Sequence, residues 1–180
     1  MARKTGIVPE ARREVGGVIH RADGLKYLSP LRASAFLGLV RAGSALDREL
    51  DAELERTHGI GLRGFEVLLF LAVFAPGGTL RIGQLIERTP LSQSRVSRLV
   101  GELEARGLVE RSTADGDRRA VRVSITPHGI ETFRAAQDTH LAGLERRLFS
   151  RLTEGEIRQL AKITTKLLRE DGSAEAPGRS

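Results

Sequence analysis

Residues 81–126 read RIGQLIERTPLSQSRVSRLVGELEARGLVERSTADGDRRAVRVSIT, and a change of period inside that stretch decides the fold. From 81 to 88, Ile82, Leu85 and Ile86 recur at helical spacing. Thr89-Pro90-Leu91 then makes a turn. Ser92 stands where a helix cap belongs, and Val96, Leu99, Val100 and Leu103 mark the inner face of a second helix over 93–106. Gly107 stops that helix where left-handed backbone is needed. Beyond it the period drops to two: 108–113 and 120–125 read as strands around the polar turn 114–119. Helix, tight turn, helix and hairpin in this order make a winged helix-turn-helix.

Upstream, 62–75 is apolar on most sides, as a buried central helix is, and Pro76-Gly77-Gly78 ends it. Before it, Ser29 and Pro30 start a long helix that runs to about His58. Phe36, Leu39, Val40, Gly43, Leu46, Leu50 and Leu54 form one stripe along that helix, and Gly59-Ile60-Gly61 breaks it. A short helix is expected over 9–19, with a turn at Asp23-Gly24. Downstream, Thr126 and Pro127 open a helix to about 150, and Thr153 with Glu156 makes a capping box for a last helix to about 169. Residues 171–180 are small and polar, the composition of a disordered tail.

The 180 residues carry a net charge of +6, and its placement is uneven. Segments 1–29 and 81–122 each hold a net +3. Clustered positive charge suits a partner with a phosphate backbone. Cysteine is absent, which excludes disulfides and thiol redox sensing. His20, His58, His128 and His140 lack a metal-ligand spacing, no cofactor motif occurs, and structural roles are expected for all four. No catalytic triad, paired-carboxylate motif or phosphate loop is present, so an enzyme is not expected. No segment is long and apolar enough to span a bilayer and none reads as a signal peptide, so no membrane partner is expected and the expected location is cytoplasmic.

The helix over 93–106 is narrow enough for a DNA major groove, where its first side chains reach base edges. Those are Gln93, Ser94, Arg95, Ser97 and Arg98, all hydrogen-bond donors. Arg95 suits guanine O6 and N7, and Gln93 suits adenine. Polar residues line the outer face of any amphipathic helix, but the adjoining basic hairpin favours DNA. At the hairpin tip, Asp117 sits two residues from Arg119 and can hold its guanidinium extended toward a narrow minor groove, with Arg118 beside it. Ser92, Arg111, Arg81 and Arg63 are the candidate phosphate contacts.

The segments Leu99-Val100-Gly101-Glu102-Leu103-Glu104-Ala105-Arg106-Gly107-Leu108-Val109-Glu110-Arg111 and Asp117-Arg118-Arg119-Ala120-Val121-Arg122-Val123-Ser124-Ile125-Thr126-Pro127-His128-Gly129 resemble the MarR family of bacterial regulators. The family pattern is a recognition helix ending in LE-x-x-GL-V-x-R, then D-x-R in the wing and LT-x-x-G, with Ile125 here replacing the usual leucine. The resemblance spans about 31–168. It implies an α+β, mainly α fold: a DNA-binding domain at 62–126 between dimerisation helices at 29–61 and 127–170, after a basic arm at 1–28. It also implies a homodimer on double-stranded DNA, with Arg119 as the wing arginine and Asp117 as its brace. The apolar faces of the last two helices, from Leu141 to Leu168, agree with a partner copy. Two-fold symmetry then predicts a palindromic site with half-sites about 34 Å apart.

Many members bind a small, often phenolic or anionic effector between the dimer and DNA-binding parts, and Arg48, His58 and Phe65, with Arg63, lie near the expected crevice. The reading is therefore a sequence-specific transcriptional regulator, a repressor by expectation. The alternative is an architectural DNA binder without sequence preference. One departure stands out: many members have a capping serine or threonine where this chain has Arg81.

Overall fold

A computed structural model describes residues 12–114 and 117–168, with no side-chain detail for 114 or 117–120. The contacts divide the chain into two units, 1–45 and 46–180.

The first unit opens with an antiparallel sheet, β1 (Arg12–Val15), β2 (Val18–Arg21) and β3 (Lys26–Leu28), in that order. This corrects the short helix expected over 9–19. Gly16 and Gly17 sit at φ +58° and +77°, where side chains with a Cβ are strained. Two successive left-handed residues between two strands make the tightest hairpin turn, which overrides the modest helical pattern of RREVGGVI. The turn at Asp23-Gly24 forms as expected, with the Leu25 N–H donating to Asp23 Oδ1 at 3.1 Å. The Ser29 N–H donates to the Gly17 carbonyl at 2.9 Å, so helix α1 (Pro30–His58) starts beside the hairpin turn.

The stripe read along α1 does not behave as one surface. Leu50 and Leu54, in the second unit, are buried, whereas Phe36, Leu39 and Val40, in the first, are about half exposed.

The second unit is the winged helix. α2 (Leu62–Leu69) runs on as a π-helical turn over Phe70–Phe74, then a 3₁₀ turn at Pro76–Gly78. Next come β4 (Thr79–Arg81), α3 (Ile82–Arg88) and α4 (Gln93–Ala105). The hairpin is β5 (Val109–Ala114) and β6 (Asp117–Ile125), followed by α5 (Pro127–Arg147), a 3₁₀ turn at Phe149–Arg151 and α6 (Glu154–Leu168). The second sheet runs β4-β6-β5, all antiparallel. β4 was not foreseen, and β6 begins earlier than the expected turn allowed, pairing Asp117 with Ala114 after a register shift at Thr113/Ala114.

One core joins these elements: Leu54 of α1, Phe65, Val67 and Leu68 of α2, Leu85 of α3, Val96 and Val100 of α4, Val109 and Val123 of the hairpin, and Phe133 of α5. Burying Val96, Val100 and Leu103 contributes roughly 1.5–3 kcal/mol per side chain. That fixes the rotation of α4 about its own axis and so decides which residues face outward. The last helix starts as read: Thr153 and Glu156 cap reciprocally, with the Thr153 N–H donating to Glu156 Oε2 at 2.8 Å and the Glu156 N–H to Thr153 Oγ1 at 3.3 Å.

Candidate nucleic-acid interface

With its apolar face buried, α4 turns Gln93, Ser94, Arg95 and Arg98 to the surface, and Ser97 is half-buried. Ser92 holds the cap position, but its hydroxyl makes no bond to a helix N–H and lies 3.2 Å from the Ser94 hydroxyl. No acidic residue occupies the first turn of α4. The positive end of that helix is thus left uncompensated by its own sequence, an arrangement that favours an approaching anion.

The preceding helix is held at both ends. Gln84 reaches back to accept from the Arg81 N–H at 2.9 Å, which supplies half of a capping box without the missing serine or threonine. At the other end the buried Thr89 donates to the Leu85 carbonyl at 3.0 Å and closes the turn into α4. Arg81 pairs with Arg122 across β4 and β6. Both are exposed, and a shallow hollow is lined by Arg81, Arg122 and Gln84. Arg122 thus joins Arg81 at one cationic spot, a pairing that only the unforeseen β4 creates.

The two halves of the sequence signature meet in space. Gly107 ends α4 at φ +68°. The Thr126 N–H donates to the Leu108 carbonyl at 3.1 Å, and the Thr126 hydroxyl donates to the Gly107 carbonyl at 2.6 Å. The same hydroxyl accepts from the Gly129 N–H at 2.9 Å, capping α5. A Cβ at Gly129 would overlap the Leu108 carbonyl and meet Ile125 at 2.9 Å. The Gly-Leu and Thr-x-x-Gly pieces are therefore one joint, which sets α4, the base of the wing and α5 against one another.

A second joint lies at the end of α4. Arg106 donates through Nη1 to the Gly59 carbonyl and through Nη2 to the His58 carbonyl at 3.1 Å, binding the end of α4 to the end of α1. The His58 ring is itself 2.8 Å from the Thr139 hydroxyl on α5. Nothing in the sequence marks Arg106, because its acceptors are backbone carbonyls 47 and 48 residues away. Arg106→Ala is expected to lower stability by about 1–2 kcal/mol in urea denaturation, and Arg106→Lys to recover only part, since an ammonium cannot match a fork spanning two carbonyls. Equal midpoints for Arg106→Ala and wild type would show that the fork contributes nothing.

The other sequence-derived candidates fall in several settings. Arg63 donates to Glu66 at 2.7 Å and to Asp47, so its guanidinium is already paired. Arg111 is bound to Glu104, whose carboxyl this hydrogen bonding holds below its usual value. Arg48 is exposed, and His58 makes the Thr139 contact. Phe65 is a core residue, with its ring 5.4 Å from Phe133 and 4.5 Å from His140. Burial pushes the His140 imidazole below its usual value, against an upward pull from Glu66. The side chains of Asp117, Arg118 and Arg119 lie outside the described residues.

Arg146 and Arg147 grip Glu53 at 2.8 and 2.6 Å, and Arg147 also reaches Glu49 at 2.9 Å, tying the end of α1 to α5. Burial opposes ionisation of Glu53, yet the two arginines hold its carboxyl below its ordinary value.

Residues 58–120, which span this interface, match a family model described as MarR family. That segment is similar to the MarR family. AbsC, a MarR family transcriptional regulator from Streptomyces coelicolor, superposes with a TM-score of 0.73 at 25% identity, over 79% of this chain and 95% of that one. Sco3205, a MarR family regulator of the same organism crystallised in complex with DNA, superposes with a TM-score of 0.74 at 26% identity, over 81% of this chain and 90% of that one. In sequence, this chain is 34% identical over 100 residues to the HTH-type transcriptional repressor MdtR of Bacillus subtilis. That match covers 56% of this chain and 64% of MdtR, so the chain spans just under two thirds of the relative's length.

Proposed function

We propose that this chain is a regulator of the MarR type, a sequence-specific DNA-binding transcriptional regulator that works as a homodimer on a palindromic duplex. The observation that carries this is the start of α4: Gln93, Ser94, Arg95 and Arg98 at the surface, with Ser97 half-buried among them, on a helix whose opposite face is locked in the core. In this reading Arg95 pairs with a guanine, Gln93 with an adenine, and Ser94, Ser97 and Arg98 with neighbouring edges or phosphates. Arg119, braced by Asp117, enters the minor groove beside each recognition helix. Arg81 and Arg122 hold a phosphate at the start of α3. Arg63 and Arg111, both paired with carboxylates, contribute less than their charge suggests.

The homodimer is supported within each unit separately. In the first, Leu31, Phe36, Leu39 and Val40 are exposed apolar residues of one helix. In the second, Leu141, Ile163, Leu167 and Leu168 are also exposed. Apolar surface of this kind is what a partner copy buries. Repression is the sign suggested by the name of MdtR, and the cytoplasm is where a regulator of this kind meets DNA. Release by a small anionic or phenolic effector extends the same reading, with Arg48 and His58 as the side chains it would use.

The test is repeated recovery of bound duplexes from a random pool by the full chain. The expected result is enrichment of an inverted repeat with half-sites one helical turn apart. Strong binding without any enriched sequence would replace this reading with an architectural one, and no retention of duplex would remove both.

A further inference from the structure

The register of the N-terminal sheet sorts its side chains. Residues directly opposite one another share a face. Arg13, His20 and Lys26 are aligned across all three strands, and Val15, Val18 and Leu28 are aligned across the same three, two positions along. These six occupy one face, and no carboxylate is among them. Arg12 and Arg21 face each other on the opposite face, with Glu14. The two rows are also sorted along the strands. The apolar row lies at the hairpin turn where α1 begins, and the basic row lies toward the free end.

Arg21 is engaged with Asp23 at 2.7 Å. Arg13 and Lys26 are exposed, and among the described residues neither has a carboxylate within ion-pair distance. Arg13 and Lys26 stand on either side of His20, about 10 Å apart over two strand spacings. Two exposed cations on one face, with no carboxylate beside them, favour a polyanion, whose counterions they displace. A second copy docking on this face would bring an identical basic row with it, which disfavours that occupant.

We propose that this face of the N-terminal sheet binds the phosphate backbone of double-stranded DNA, through Arg13, Lys26 and His20, as a contact additional to the winged helix. The inference rests on the DNA-binding reading above. Phosphates carry no sequence information, so the sheet adds affinity equally on every duplex.

The test uses the full chain, a duplex recovered from the random pool and a scrambled duplex of equal length. Arg13→Thr/Lys26→Thr keeps residues that favour strands while removing two charges. The double variant is expected to bind both duplexes more weakly by the same factor. Its slope of log affinity against log salt, between ~50 and ~200 mM, is expected to be shallower by about 2 per protomer. Arg13→Lys/Lys26→Arg should retain the wild-type slope. An unchanged slope in the threonine variant would overturn the inference while leaving the winged-helix reading intact. So would loss of the slope in both variants, which would mark a structural role. Loss of binding to vesicles of mixed anionic and neutral lipid, with DNA binding unaltered, would assign the face to a membrane surface instead. Failure of the wild type to retain any duplex would instead overturn the DNA-binding reading itself.

Discussion

Gly129→Ala is expected to destabilise the second unit by about 3 kcal/mol, the upper part of the range for overpacking. The reason is local and geometric. The added methyl would overlap the Leu108 carbonyl, a backbone atom with no rotamer to escape into, and would press on Ile125. That carbonyl also accepts the Thr126 N–H, so moving it loosens the Thr126 cap and the Gly107 contact together. With an unfolding free energy of roughly 5–15 kcal/mol for a domain, such a loss is a large fraction of the whole. Thermal denaturation should show a midpoint lower by about 6–12 °C. A midpoint within error of wild type would mean that α5 does not approach Leu108 as closely as described.

The second large effect is expected at Phe65. It is 2% exposed and stacks between Phe133 and His140. Phe65→Ala should cost about 3–5 kcal/mol, from lost transfer energy and the cavity left behind. Phe65→Leu should cost clearly less, because most of the volume is restored. This pair separates the two roles open to Phe65. A core residue produces a large loss in urea denaturation without any small molecule present. Unchanged stability with an altered response to an effector would make it a pocket wall instead.

Sequence reading and structure agree best where a pattern is local. The helix starts at Pro30, Pro127 and Glu154 follow from caps and proline within a few residues, and Gly107 ends α4 as its left-handed role requires. The buried face of α4 follows from four apolar residues at helical spacing. What was missed depends on distant partners or on a turn that outweighs a weak pattern. β4 has three residues, too few to show alternation, and exists because Thr79, Leu80 and Arg81 find Ser124, Val123 and Arg122. The N-terminal hairpin has a legible signal in Gly16-Gly17, which the weak helical pattern of the flanking residues obscures. Arg63 was half legible, since Glu66 is three residues on, whereas the pairing of Arg111 with Glu104 crosses from helix to strand. Arg106 left no trace at all, because its acceptors are main-chain oxygens.

The reading of base edges by the first turn of α4 is tested most directly by pairing Arg95→Ala with a complete set of single-base-pair changes in the recovered duplex. Wild type should discriminate at several positions in each half-site. Arg95→Ala should lose discrimination at one base pair per half-site, worth roughly 1–3 kcal/mol, and keep it elsewhere. A uniform weakening over all positions, with every preference retained, would mean that Arg95 touches only phosphate, contrary to the role assigned to it here.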